Sequence, residues 1–196
     1  MRFSERARTF SLVLLLVAAC GGPPPQVTTP DAAHIDTAVA SLHVGQVVDS
    51  VPCLRDDLPA QHVHVHVAIF DDGTGVAVPA GIGVGRPWGK DSDGFIATGT
   101  CFAWLHTHDT TGVVHVVSPE QKSFTLGQLF AVWGQPLGPS AALNYSGRLT
   151  LLVNGKEFTA DPSSAPLVNF SNIVLELGKP PAVAPQATYD FGSMRQ

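Results

Sequence analysis

The chain is nearly without methionine. Met1 and Met194 lie at the two ends of its 196 residues, so the interior has no thioether, and a blue-copper set with an axial Met is excluded. Cysteine is scarce too, at Cys20, Cys53 and Cys101. There is no Gly-x-Ser-x-Gly elbow, no phosphate loop and no Gly-x-Gly-x-x-Gly opening a helix; Gly81-Ile82-Gly83-Val84-Gly85 sits in a glycine-rich loop. These gaps remove the usual nucleophile-elbow, nucleotide and dinucleotide signatures. Asp91-Ser92-Asp93-Gly94 opens like an EF-hand loop but lacks the later Glu, and reads as a turn. Coiled-coil heptads are absent, and the chain has a single long apolar run.

That run is Phe10 to Ala19, preceded by Arg2, Arg6 and Arg8. Ten such residues rise about 15 Å as a helix, half of the roughly 30 Å hydrocarbon core. The stretch therefore reads as a signal peptide over residues 1–19 and not as a membrane span. It ends in Val17-Ala18-Ala19-Cys20, which resembles the bacterial lipobox. The resemblance implies cleavage before Cys20, acylation of Cys20 (palmitate included) and a mature chain anchored in a bilayer of the cell envelope, outside the cytosol. Gly21, where inner-membrane lipoproteins carry Asp, favours the outer membrane over the inner. Residues 20–33, with Gly21-Gly22-Pro23-Pro24-Pro25, read as a Gly/Pro-rich tether. Residues 34–178 are the expected domain, and residues 179–196 are expected to be a disordered Pro-rich tail. Removing residues 1–19 takes three Arg and one Glu from 11 basic and 16 acidic residues, leaving 8 and 15, a net charge of −7. That balance argues against nucleic acid as a partner, because phosphate backbones need basic patches.

Within the domain the hydrophobic pattern has mostly the period of strands. His62 to Phe70 alternates, with Val63, Val65, Val67 and Ile69 on one side and His62, His64, His66 and Ala68 on the other. Asp71-Asp72-Gly73 and Asn154-Gly155 are hairpin turns. Phe102–His108, Val113–Val117, Leu149–Val153 and Ile173–Leu177 read as further strands. Thr125–Trp133 is the one helical pattern, closed by Gly134 and Pro136. The expected fold is mostly antiparallel β, sandwich-like or α+β, with one short helix. Cys53 and Cys101, alone together in an oxidising compartment, are expected to form a disulfide, with metal ligation as the alternative for Cys101.

The histidines carry the chemistry. Six of eight lie between residues 62 and 115: His62, His64, His66, His106, His108 and His115. Same-face residues on a strand are about 6.6 Å apart, so imidazoles at i and i+2 can converge on one ion. If Asp109–Gly112 is a four-residue hairpin loop, residue 108 pairs with 113 and residue 106 with 115, which sets His106 across from His115. Packing this hairpin beside strand 62–70 would gather up to six imidazoles, with Asp109 nearby as a supporting group. Imidazole suits Cu²⁺ and Zn²⁺. It ligates only when neutral, so binding is expected to weaken as pH falls through about 6.5.

The stretch Leu105-His106-Thr107-His108-Asp109, with His62-x-His-x-His and Phe124-Thr125-Leu126-Gly127, resembles exported His-rich β proteins of unassigned function, and this likeness brings no activity with it. α-Class carbonic anhydrases are similar in pairing His-x-His on one strand with a third His on the next, but the rest of their pattern is missing. Cupins need a Glu three or four residues past the second His, where this chain has Thr111 to Val113. The leading expectation is a lipid-anchored domain that binds copper or zinc for handling or sensing. A metal-dependent enzyme, hydrolytic or oxidative, would use the same cluster, with Asp109 as candidate base. An interaction module would carry the histidines as surface.

Overall fold

The computed structural model describes residues 35–55 and 59–192. The expected signal peptide, the expected lipidation site Cys20 and the expected tether lie outside them. Among the described residues no helix is long and apolar enough to cross a membrane.

The molecule is built on a seven-stranded sheet. Across it run Lys156–Glu157, Leu149–Val153, Asn172–Leu177, Gln61–Asp71, Val113–Ser118 and Leu105–His106, with Thr74–Val76 also paired to Gln61–Asp71. Alternation forms the Gln61–Asp71 strand: Val65, Val67 and Ile69 enter the core, and the histidines take the opposite face. Its hairpin closes through Asp72-Gly73, both at positive φ (45° and 83°), and Asn154-Gly155 does the same at 52° and 74°. Two-residue turns of this hand match the twist of the strands they join.

The fold is mostly antiparallel β with one α-helix among the described residues. One pairing at the sheet's centre is parallel: Asn172–Leu177 runs beside Gln61–Asp71, with Asn172 opposite His66. The helix Leu126–Trp133 has Thr125 and Gln128 in a capping box and Gly134 in the left-handed conformation at its end. It buries Leu126, Leu129, Phe130, Val132 and Trp133.

The stretch expected to be one strand from Phe102 to His108 is divided at Trp104. Phe102–Ala103 pairs with Val51–Leu54 in a small sheet, and Leu105–His106 pairs with Val113–Ser118 in the large one. The Cys53–Cys101 disulfide lies at this division, with Cys53 opposite Ala103. Closing a loop of 48 residues contributes about 4 kcal/mol in the chain-entropy account.

The Pro-rich segment also differs from expectation. Over residues 179–192 it is held against the histidine-bearing face of the sheet and is not a free tail. Asn172 donates its Nδ2–H to the carbonyl of Gln186 (2.7 Å), and the Tyr189 ring stacks on His66 with centroids 3.9 Å apart. Phe191 is buried against Phe170 and Tyr189. Low apolar periodicity hid these anchors, because two aromatic rings among prolines carry no helix or strand pattern.

Candidate metal centre

Register brings the histidines together. His115 lies directly across from His64 on one neighbouring strand and from His106 on the other. Three imidazoles thus form a row over three strands, with His62 two residues before His64 and His108 two residues after His106. The expected pairing of His106 with His115 is present; that of His108 with Val113 is not. The ladder stops at His106, and Val113 pairs with His66 instead. His108 turns away to accept the Ile96 N–H on its own carbonyl (2.9 Å).

Two sets of ligand atoms result. His62, His64 and His115 form one triad, and His106, His108 and His115 another; within each, one nitrogen per ring lies within 4.8 Å of the others. Either triad could hold a metal ion. His115 belongs to both, its ring centroid 4.6 Å from His64 and from His108, and 5.4 Å from His62 and from His106.

Two rings of the second triad have fixed tautomers. His106 donates Nδ1–H to the Ala103 carbonyl at 2.7 Å, and His108 donates Nδ1–H to the Ile96 carbonyl at 2.6 Å. A carbonyl only accepts, so both rings, when neutral, carry a bare lone pair on Nε2. These two Nε2 atoms face one another at 3.1 Å. Two lone pairs at that distance repel unless a cation lies between them. For comparison, two nitrogens on one tetrahedral Zn²⁺ are separated by about 3.3 Å, given Zn–N bonds near 2.05 Å.

A shared proton is disfavoured by the surroundings. His106 is 5% exposed, and burial, reinforced by neighbouring His108, pushes its pKa down to about 3 against the pull of the Ala103 carbonyl. Burial, then His106 and His108, pushes His115 down to about 2. His108 is lowered as well, chiefly by burial, with the Ile96 carbonyl and Asp109 acting the other way. The rings are therefore neutral across the physiological range, as ligands must be. Phe95 stacks on His108 with centroids 4.2 Å apart, and the Phe102 edge meets His106 at 5.3 Å. Packing of this kind fixes ring orientation before an ion arrives.

His66 stands apart from both triads. Its Nδ1 faces Asn172 Oδ1 at 2.6 Å and its Nε2 faces the Thr111 carbonyl at 3.1 Å. Both nitrogens are thus turned to oxygen acceptors, and the ring holds the C-terminal segment in place. Burial lowers its pKa, and the two hydrogen bonds oppose that shift. Asp109 does not orient a histidine either; its Oδ1 accepts the N–H and hydroxyl of Thr111 and holds the turn. The orienting groups are main-chain carbonyls. Ile96 reaches the site because Asp91 Oδ1 accepts N–H groups from Asp93 and Phe95, forming the turn that presents Phe95 and Ile96. The two domain cysteines are bonded to each other, so Cys101 is not a ligand.

A cleft of about 570 Å³ opens beside His62, His106, His108 and His115. Leu54, Phe95, Phe102, Trp104 and Val117 line it together with Arg55. Its size and mostly apolar wall suit a small-molecule site. Asp109 is not part of the wall.

No known family model matches the chain, and no curated protein or solved structure matches it either.

Proposed function

We propose that this chain is an envelope lipoprotein, anchored in the outer membrane by acyl groups on Cys20, whose β domain binds Cu²⁺ or Zn²⁺ through His106, His108 and His115 for metal handling or sensing. The observation that carries this reading is the pair of Nε2 lone pairs on His106 and His108, 3.1 Å apart and locked by carbonyls behind them. Such a pair is costly when empty and favourable around a cation. Titration of the chelator-stripped full chain with Cu²⁺ or Zn²⁺ at pH 7.5 should show at least one ion bound per chain. Elemental analysis of the protein isolated from its own host's envelope would name the ion. A chain that binds no first-row divalent ion is instead an interaction module.

The cleft favours a second reading, a metal-dependent enzyme. Three protein ligands leave a fourth position for water or substrate on a tetrahedral ion, and the apolar wall with Arg55 suits a small anionic molecule with an apolar body. A small aromatic carboxylate that binds the metal-loaded chain more tightly than the stripped one supports this reading. Equal affinity for both forms returns the site to simple metal carriage.

A further inference from the structure

The two triads meet in one ring. His62 Nε2 lies 3.1 Å from His115 Nδ1, the same separation as His106 Nε2 from His108 Nε2. One nitrogen of His115 is therefore turned toward the His62–His64 side, and the two nitrogens of an imidazole diverge on opposite edges of the ring. The His64 and His108 rings stand at equal distance from it, 4.6 Å, both near perpendicular at 86° and 80°. Each triad keeps its ligand atoms within 4.8 Å of one another, a spread that suits one ion per triad.

We propose that the site takes two divalent d-block ions, Cu²⁺ or Zn²⁺, and that His115 bridges them through both ring nitrogens. His106 and His108 complete the inner ion's set, and His62 and His64 complete the outer one. This rests on the metal-binding reading above. A neutral imidazole has one lone pair and one N–H. To serve two ions, His115 gives up its remaining N–H proton to solvent as the second ion binds. The new metal–nitrogen bond replaces the nitrogen–hydrogen bond, and one proton is released. No electron transfer is involved. The inner ion binds first, since its ligands are buried and aimed by carbonyls; the outer binds second, through the exposed His62.

The test is a Cu²⁺ titration of the stripped full chain at pH 7.5, with bound copper counted after desalting and the EPR signal integrated at each step. Two ions per chain are expected. Two Cu²⁺ ions joined by one imidazolate couple magnetically, so the integrated signal per copper should fall by more than half as the second equivalent is added. His62→Ala, an exposed position that leaves the core untouched, should bind one copper at full signal. His108→Ala should likewise lose one equivalent. A wild-type chain that stops at one ion, with His62→Ala unchanged, overturns the bridge and leaves a one-ion site with His62 donating a hydrogen bond to His115. Two ions at full uncoupled signal also overturn it. No bound copper at all removes the metal-binding reading as well.

Discussion

His66 and Tyr189 stack with their planes within 8° and centroids 3.9 Å apart. The last histidine of the His62-x-His64-x-His66 run is thereby committed to fastening the C-terminal segment and not to an ion. His66→Ala should leave the number of bound ions unchanged. It should cost about 2 kcal/mol of stability, the sum of a stacked pair and one net hydrogen bond. Metal titration beside a denaturant melt checks both, and loss of one bound ion would return His66 to the ligand set.

His106→Ala removes a buried candidate ligand whose orientation is already fixed. Affinity for the first ion should fall by about 100-fold or more, since loss of merely supporting contacts costs 10- to 100-fold. His43→Ala, an exposed residue outside both triads, should leave affinity unchanged. Competition with a chromogenic chelator reads the two variants side by side.

Acid should destabilise the metal-free domain. In the unfolded chain these histidines titrate near 6.5, whereas in the fold burial holds His106 down to about 3 and His115 down to about 2. Below pH 6.5 the unfolded state therefore binds more protons, and stability falls with pH from 6.5 to about 3. Between pH 7 and pH 5 the loss should be about 2 kcal/mol for each of the two rings. Urea unfolding of the stripped protein at both pH values measures it, and a flat profile would mean that these rings accept protons while folded.

The same shifts alter the expected pH dependence of binding. Proton competition for His106 and His115 lies well below pH 6.5, so first-ion affinity should change little between pH 7.5 and pH 5.5 while the domain stays folded. Calorimetry at the two pH values decides the matter. A tenfold or greater loss at pH 5.5 would show that ordinary imidazole titration controls the site.

The disulfide gives a fifth measurement. Thiol counting under denaturing, non-reducing conditions should find neither Cys53 nor Cys101 free, and Cys101→Ser should lower stability by about 4 kcal/mol. Two titratable thiols would contradict the Cys53–Cys101 bond.

The proposed membrane anchor is tested on its own. Cys20→Ala should abolish incorporation of labelled palmitate and leave the chain as unlipidated precursor or soluble product. Labelling that persists in the variant would remove the lipoprotein reading.

Local features of this protein were readable before its structure. The two hairpin turns, the helix with its cap and the opposition of His106 and His115 each depend on a few adjacent residues. The disulfide was readable because the domain has only two cysteines to pair. What escaped depends on distance along the chain. His66 is held by Asn172, 106 residues away, and no periodicity in residues 62–70 reports that partner. The carbonyls of Ala103 and Ile96 were invisible for a different reason: every residue has one, and only the fold says which faces an imidazole. Likewise, the turning away of His108 follows from its bond with Ile96, which the hairpin arithmetic did not include.

The parallel pairing of Asn172–Leu177 with Gln61–Asp71 bears on how the molecule comes into being. Every candidate ligand lies at or before residue 115, yet the strand beside the first histidine strand is the last to be synthesised. Strands so far apart in sequence meet only after a long loop has closed, which slows folding. A chain cut short before residue 172 would carry all the imidazoles and still lack the strand that braces them. Assembly of the candidate metal site is thus a late event in the life of each molecule, set by completion of the polypeptide and not by the appearance of its histidines.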